Sequence, residues 1–170
     1  MITLPLETAR LRIRAFEPAA DAEPLHELWG DEHAMRFVPG AAQESVEGTR
    51  ARIESALDRA AAGWGFWALE ERERRLVGGA GLFPEAWEGP EIELAYHVVP
   101  SAWGRGYATE AAAALLDAAW RETDLERVLA FAFEDNRAST RVMQKLGMRY
   151  EGHVDYRGYD VVRYAIDRPT

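Results

Sequence analysis

The chain has 170 residues, of which 48% are hydrophobic, with a formal net charge of −9 and no cysteine. A chain of this size and apolar content can bury one core, and we expect a single domain over residues 1–170. The charge argues against a nucleic-acid binder, and the missing cysteines exclude disulfides, thiolate metal sites and a cysteine nucleophile.

Residues 1–7 lack the basic and apolar regions of a signal peptide, and no apolar run approaches membrane-spanning length. We therefore expect a soluble, cytoplasmic protein without a membrane partner. The acidic balance would suit a cationic partner, such as an amine or a basic peptide.

The first half of the chain predicts a strand, two helices and a hairpin, in that order. Leu11 and Ile13 alternate with arginines, as in a half-exposed strand. Asp21 can cap a helix that stops at Gly30, and a second helix stops at Gly63. The predicted bounds are 10–16 for the strand, 21–30 and 45–62 for the helices, and 64–69 and 76–83 for the hairpin strands, which a charged turn over 70–75 joins.

The second half predicts four strands and two helices. Along residues 91–99 one face carries Ile92, Leu94, Tyr96 and Val98, and the other carries Glu91, Glu93, Ala95 and His97. The other strands cover 128–133, 148–152 and 161–166, the helices cover 108–122 and 136–146, and a loop covers 153–160. This order predicts an α/β fold with a mixed central sheet of about seven strands and helices on both faces.

A glycine-spaced turn leads from the strand at 91–99 into the helix at 108–122. Gly104 and Gly106 allow a tight turn, and the new helix presents unpaired N–H groups and its positive dipole end. The turn therefore predicts an anion site, most naturally for a phosphate, although an ordinary strand-to-helix turn has the same pattern. A Rossmann dinucleotide site does not fit, because Thr109 replaces the third glycine and no β-α-β start precedes the turn.

Two motifs in order carry a family resemblance. Residues 103–111 (WGRGYATEA) link a strand to a helix, and 136–139 (NRAS) with 145–148 (KLGM) follow a buried strand. With this spacing the chain resembles the GNAT N-acetyltransferase superfamily over nearly its whole length. The branch that it most resembles contains the ribosomal-protein alanine N-acetyltransferases, to which residues 8–14 (TARLRIR) are also similar.

The resemblance implies the GNAT acyl-CoA N-acyltransferase fold, with the sheet splayed between its fourth and fifth strands. It implies acetyl-CoA as co-substrate and transfer of acetyl to a primary amine by direct attack in a ternary complex. Because His26, His33 and His153 are scattered along the chain, we expect no metal site. The acceptor would be a protein N-terminal amine or a small-molecule amine. Dimers are frequent in this family, and the sequence does not decide between a monomer and a homodimer.

The resemblance also implies the cofactor-binding residues. The turn would wrap the pyrophosphate through the backbone amides of Gly104, Arg105, Gly106, Tyr107, Ala108 and Thr109. Backbone groups of Val98 and Val99 would bond the pantetheine arm, and one N–H there would polarise the thioester carbonyl. Asn136 would also bond the arm, although an asparagine at this place commonly caps a helix.

Catalysis needs a base for the amine and an acid for the departing thiolate. Many family members use a tyrosine seven residues after the asparagine, but Met143 stands there, so Ser139 becomes the candidate acid. Glu93 matches a frequent glutamate on the family's fourth strand and is the candidate base, with Glu91 and His97 as alternatives. An ordinary salt-bridged or solvated carboxylate is the competing interpretation of Glu93.

The acceptor pocket is implied only as two regions, 29–40 and 153–160. Aromatic residues that could line it are Trp29, Phe37, Trp64, Trp67, Trp87, Tyr96, Tyr156 and Tyr159. Acidic residues that could attract a cationic amine are Asp31, Glu32, Asp155 and Asp160. Two other functions stay open at this point, namely a catalytically weak CoA-binding sensor or structural protein, and an acyltransferase that uses a larger acyl-CoA.

Overall fold

The computed structural model describes residues 2–38, 40, 42–60 and 63–170. These residues form eight strands, β1 Leu6–Glu7, β2 Leu11–Arg14, β3 Gly65–Glu71, β4 Leu76–Pro84, β5 Ile92–Val98, β6 Arg127–Ala132, β7 Arg149–Tyr156 and β8 Tyr159–Asp167. They also form five α-helices, α1 Pro18–Trp29, α2 Glu32–Met35, α3 Val46–Ala60, α4 Tyr107–Glu122 and α5 Arg137–Lys145. No helix among them is long and apolar enough to cross a membrane.

The strands form one sheet in the order β1-β2-β3-β4-β5-β6-β8-β7. Among these strands β5 and β6 form the parallel pair, and the other neighbours run antiparallel. The mixed α/β sheet with helices is confirmed. It has eight strands because the two residues of β1 pair with Arg12 and Ile13 of β2, a contact too short to leave a periodic signal.

The sheet opens between β5 and β6. Their register consists of Ile92 with Val128 and Glu93 with Leu129, and the strands diverge beyond these two pairs. These are the fourth and fifth strands of the sequence-based count, so the splay lies where the family resemblance implied it.

The helices cover the sheet in two layers. α1 and α3 pack together on one face, where the ring of Trp29 lies 6.5 Å from that of His97. α4 and α5 contact each other, and Ser139 of α5 bonds to the Tyr96 hydroxyl on the opposite side of β5. Because successive side chains of a strand point to opposite faces, β5 contributes to both layers.

Two predicted boundaries are wrong. α1 begins at Pro18, one turn before the predicted cap at Asp21, because Pro18 is compatible with a first helical turn. The Asp21 carboxylate is buried and accepts a hydrogen bond from the Glu17 amide at 2.7 Å. The predicted loop at 153–160 is mostly strand, since β7 and β8 continue to a tight turn at Arg157 and Gly158. Residues 61 and 62, at the predicted end of the second helix, lie outside the described residues.

Candidate active site

A cavity of about 1330 Å³ lies at the opening between β5 and β6. It is lined from both helix layers, from the glycine turn and from the turn between β7 and β8. The structure thus brings together most of the sequence-predicted site residues, which are Glu93, Val98, Gly104, Arg105, Gly106, Tyr107, Ala108, Thr109, Asn136 and Ser139. Val99 is not among the lining residues.

The glycine turn has the backbone geometry that its sequence predicts. Gly104 and Gly106 have φ of 75° and 80°, values that residues with side chains rarely adopt. The first helical bond of α4 runs from the Glu110 amide to the Gly106 carbonyl at 3.0 Å. The amides of Tyr107, Ala108 and Thr109 therefore precede the helical ladder and are available to an anion.

Arg10 holds this turn in place, which the sequence did not reveal. Its Nη1 donates to the Arg105 carbonyl at 2.8 Å, and its Nε donates to Glu110 at 2.7 Å. The Thr8 hydroxyl donates to the same carboxylate at 2.6 Å. Partial desolvation opposes ionisation of Glu110, but the hydrogen bonds from Thr8 and Arg10 outweigh it and keep its pKa below the ordinary value. Glu110 is therefore a structural anchor for the turn.

The open edge of β5 presents alternate backbone groups to the splay. The Val99 amide donates to the Val77 carbonyl of β4 at 2.9 Å, so it points away from the cavity. Because successive amides of a strand point to opposite edges, those of Leu94, Tyr96 and Val98 face β6. The Val98 carbonyl accepts a hydrogen bond from the Trp103 indole at 2.6 Å. The structure thus brings Val98, but not Val99, to the predicted site.

Ser139 and Asn136 lie at the start of α5. The Asn136 side chain accepts a hydrogen bond from the Ser139 amide at 3.2 Å and so caps the helix. The hydroxyls of Ser139 and Tyr96 are 3.0 Å apart. Desolvation raises the pKa of Tyr96 to about 12, although its hydrogen bond to Ser139 opposes the shift. Tyr96 therefore stays protonated, and the two residues form a pair of neutral proton donors.

Glu93 is buried on the other side of β5 and is not a solvated carboxylate. Its Oε2 accepts hydrogen bonds from the Tyr156 hydroxyl at 2.7 Å and from the Ala86 amide at 3.0 Å. Desolvation raises its pKa above the ordinary value, while these two hydrogen bonds lower it. A buried carboxylate with a raised pKa is a suitable proton acceptor. The partner Tyr156, 63 positions away, left no local signal in the sequence.

The two alternative bases are less suitable. Desolvation, with a contribution from Arg52, lowers the pKa of His97 to about 3, so its ring is a poor acceptor for an amine proton. Glu91 lies 3.7 Å from Arg127 and does not line the cavity. Within the described residues, no three His, Asp or Glu side chains are grouped as metal ligands would be.

The acceptor side of the cavity contains most of the predicted region from Trp29 onward, with Pro39 outside the described residues. Tyr156, Arg157 and Tyr159 line the opposite wall. The four predicted acids do not line the cavity. Asp31 caps α2, Asp155 accepts from the Gly158 amide, and Asp160 lies 3.1 Å from His153. Of the described lining residues, Glu93 is the one with a carboxylate.

The sequence and the fold both match known acetyltransferases. The family model described as "Acetyltransferase (GNAT) domain" matches residues 10–149. The "Uncharacterized N-acetyltransferase YoaA" of Bacillus subtilis (strain 168) is 28% identical over 173 residues, covering 96% of this chain and 97% of that protein. The acetyltransferase (GNAT family) structure from Bacillus anthracis has a TM-score of 0.84 at 29% identity, covering 97% of this chain and 99% of that one. The fold is also that of RimL, a ribosomal L7/L12 alpha-N-protein acetyltransferase in complex with coenzyme A, with a TM-score of 0.80 at 19% identity, covering 97% and 98% of the two chains.

Proposed function

The chain belongs to the family of acetyltransferase (GNAT) domains, and we propose that it transfers acetyl from acetyl-CoA to a primary amine by direct attack in a ternary complex. One observation carries this proposal: a single cavity joins the amide-rich start of α4, the open edge of β5 and the buried carboxylate of Glu93. We assign the activity to one cytoplasmic domain over residues 1–170.

The cofactor would bind along two backbone features. Its pyrophosphate would accept hydrogen bonds from the amides between Gly104 and Thr109, at the positive end of α4. The amide groups of its pantetheine arm would bond to the free edge of β5, at Leu94, Tyr96 and Val98. Asn136 caps α5 through its side-chain oxygen, which leaves its side-chain NH₂ group to face the arm. RimL, which has the same fold, is in complex with coenzyme A, and this supports coenzyme A as the ligand.

The reaction requires two proton movements. The amine nitrogen attacks the thioester carbonyl carbon, the new C–N bond forms, and the C–S bond breaks as the tetrahedral intermediate collapses. Glu93, directly or through water, takes the proton that the amine loses. The leaving thiolate takes a proton from the hydroxyl pair of Ser139 and Tyr96. The pair regains a proton from water in the cavity, and Glu93 returns the amine proton to water. An N–H on the open edge of β5 would stabilise the oxyanion.

The direct test is release of free thiol from acetyl-CoA in the presence of single amines, N-terminal peptides and aminoglycosides. We expect thiol release with at least one acceptor class, and a matching N-acetylated product by mass spectrometry. Tight binding of coenzyme A without thiol release across the panel would support the sensor function instead.

A glycine pair tests the phosphate site. Gly104 and Gly147 have φ of 75° and 79°, and a side chain at either meets nothing within 4 Å, so aspartate strains both turns alike. We expect Gly104→Asp to weaken coenzyme A binding at least tenfold, because it adds a negative charge beside the pyrophosphate. Gly147→Asp, outside the cavity, should bind coenzyme A as the unmodified chain does. Equal affinities in calorimetry would refute the phosphate site.

A further inference from the structure

The charge of the cavity is opposite to the charge of the whole chain. The chain carries a formal net charge of −9, yet the described lining residues include one carboxylate and seven cationic side chains. These cations are Arg36, Arg52, Arg59, Arg105, Arg141, Lys145 and Arg157. A cavity that concentrates one sign of charge attracts ligands of the other sign.

The cations divide between the two halves of the cavity. Arg105, Arg141 and Lys145 lie on the glycine turn and on α5, where they face the cofactor's half. The other four lie on the half formed by α1 to α3 and by the turn between β7 and β8, and cofactor phosphates do not account for them. They are Arg36, Arg52, Arg59 and Arg157.

Two of these arginines form a row on one face of α3. Arg52, Ser55 and Arg59 are spaced by three and four residues, so all three project from the same side of the helix, and all line the cavity. The two arginines are two helical turns apart, about 10 Å along the axis. A hydroxyl between two guanidinium groups is a set of hydrogen-bond donors suited to an oxyanion.

Aromatic side chains hold both guanidinium groups. Arg52 lies 4.2 Å from the centre of the Trp29 ring, and Arg59 lies 5.0 Å from that of Trp87. Trp87 stacks on Phe83, which pairs with Glu93 across β4 and β5. The row is therefore pre-positioned over the same end of the cavity that contains the candidate base.

The surroundings of Arg52 favour an anionic occupant. Desolvation lowers its pKa to about 10, so the side chain stays charged at neutral pH with reduced hydration. Its neighbour His97 is neutral and contributes a buried Nδ1 with no hydrogen-bond partner among the described residues. The half-buried guanidinium group of Arg52 would attract a negatively charged ligand in the cavity, whereas it would repel a second ammonium group.

We propose that the acceptor is an amine that also carries an acidic group, a carboxylate or a phosphate, which binds to Arg52, Ser55 and Arg59. This inference rests on the acetyltransferase function proposed above and names its substrate class. The net charge alone suggested a cationic partner. In this proposal the amine group faces Glu93 and the acidic group faces α3.

Matched acceptor pairs test the proposal with acetyl-CoA and thiol release. The pairs are phosphoethanolamine with ethanolamine, and single amino acids with their amides, compared at equal concentrations of free amine. We expect kcat/KM to be at least tenfold higher for the acidic member of at least one pair, because only that member forms charge-assisted hydrogen bonds with the guanidinium groups. The pair that shows the preference identifies the acidic group, and spermidine should be a poor acceptor. Added salt should reduce the preference.

Variants of the arginines on α3 test whether these residues cause the preference for acidic acceptors. Arg52→Gln and Arg59→Gln should each lower the ratio of kcat/KM for the acidic and neutral members at least fivefold. Arg50→Gln is the control, because Arg50 lies on the same helix, pairs with Glu47 and does not line the cavity. Its ratio should not change. Binding of coenzyme A by each variant establishes that it is folded.

The outcomes separate the two levels of the proposal. No thiol release from any amine would contradict the acetyltransferase function itself. Acetylation of amines without a preference for acidic members, or with a preference for polyamines, would overturn the substrate class and leave the acetyltransferase function intact. An unchanged ratio in both arginine variants would remove the α3 row from recognition.

Discussion

At the scale of single residues, the hydroxyls of Tyr96 and Ser139 lie 3.0 Å apart and would share the proposed role of proton donor. The Tyr96 hydroxyl also lies 3.0 Å from the Ser139 carbonyl, which can only accept. If the Tyr96 hydroxyl donates to that carbonyl, the Tyr96 oxygen can accept a hydrogen bond from the Ser139 hydroxyl. If the Tyr96 hydroxyl instead donates to Ser139 Oγ, the Ser139 hydroxyl can donate into the cavity. The sequence pointed to Ser139 through the family resemblance, but it could not pair it with a tyrosine 43 positions away.

We expect Ser139→Ala and Tyr96→Phe each to lower kcat about tenfold, while coenzyme A affinity changes less than twofold. Each change removes one hydroxyl of the pair, and a thiolate is a fair leaving group even without an acid. The double variant should be little slower than the slower single variant, because both remove one relay. Single-turnover rates measure the effect. Fully additive losses would mean that the hydroxyls act separately.

We expect Glu93→Gln to lower kcat at least a hundredfold and to remove the acid limb of its pH profile. In the unmodified chain, burial raises the pKa of Glu93, so this limb should lie at a higher pH than an ordinary carboxylate gives. The rate is lost as the pH falls through that value, because the protonated group no longer accepts the amine proton. Values of kcat between pH 5 and 9, for the unmodified chain and for Glu93→Gln, locate the acid limb.

Control measurements separate this role from a structural one. Since the raised pKa favours the protonated form in the folded state, Glu93 stabilises the fold at low pH and loses this contribution as the pH rises. Glu93→Gln should therefore not be less stable than the unmodified chain at pH 8. A normal rate with an unchanged acid limb would exclude Glu93 as the base.

At the scale of elements, the start of α4 depends on a loop that is distant in sequence. Arg10 contacts the glycine turn through the Arg105 carbonyl, and its guanidinium lies 4.8 Å from the centre of the Tyr107 ring. Tyr107 in turn donates to Glu71 at 2.6 Å. The amides that would meet the pyrophosphate are thus positioned by the loop before β2 and by the end of β3, and not by the helix alone.

We expect Arg10→Ala to weaken coenzyme A binding about three- to tenfold, because the turn loses a charge-assisted hydrogen bond and must be ordered on binding. Arg12→Ala is the matched control, since Arg12 lies two residues along and pairs with Glu7 away from the turn. Calorimetric titration of both variants measures the difference. Equal affinities would assign Arg10 a role in folding only.

The local elements could be predicted from sequence wherever periodicity or a capping residue marks them. The alternation at Leu11 and Ile13, the glycine turn and the Asn136 cap all lie where the pattern indicated. Elements set by tertiary pairing left no such signal, as β1 and the extended hairpin of β7 and β8 illustrate. The four-residue helix α2 has a capping residue in Asp31, but it is too short to show a helical period. The direction of each β5 amide depends on how β5 pairs with β4. The sequence therefore could not show that the Val98 amide faces the cavity and the Val99 amide faces β4.

At the scale of the whole molecule, an ion cluster ties the α1 layer to the sheet. Arg14 of β2 bonds to Asp21 of α1 at 2.7 Å and lies 3.2 Å from Glu70 of β3. Both carboxylates are buried, and the hydrogen bond with Asp21 is the main cause that raises the pKa of Arg14. The cluster therefore adds to the apolar packing that attaches α1, and with it Trp29 of the cavity wall, to the sheet.

We expect Arg14→Met to lower the free energy of unfolding by about 3–5 kcal/mol, because it leaves two buried carboxylates without their cation. The melting temperature should fall by roughly 10 °C. Arg149→Met is the control, since Arg149 forms an exposed pair with Asp167 and should change stability by less than about 1 kcal/mol. Thermal and urea unfolding measure both. Equal losses would show that burial of the cluster is unimportant.

The two-pair junction between β5 and β6 has a consequence for the cofactor. Five strands lie on one side of this junction and three on the other. A pantetheine arm bonded to the free edge of β5 would supply hydrogen bonds where β5 and β6 no longer pair, and would stabilise the two parts of the sheet relative to each other. Acetyl-CoA would then be a scaffold component as well as a reactant, and amide hydrogen exchange in β6 and β8 should slow when it binds.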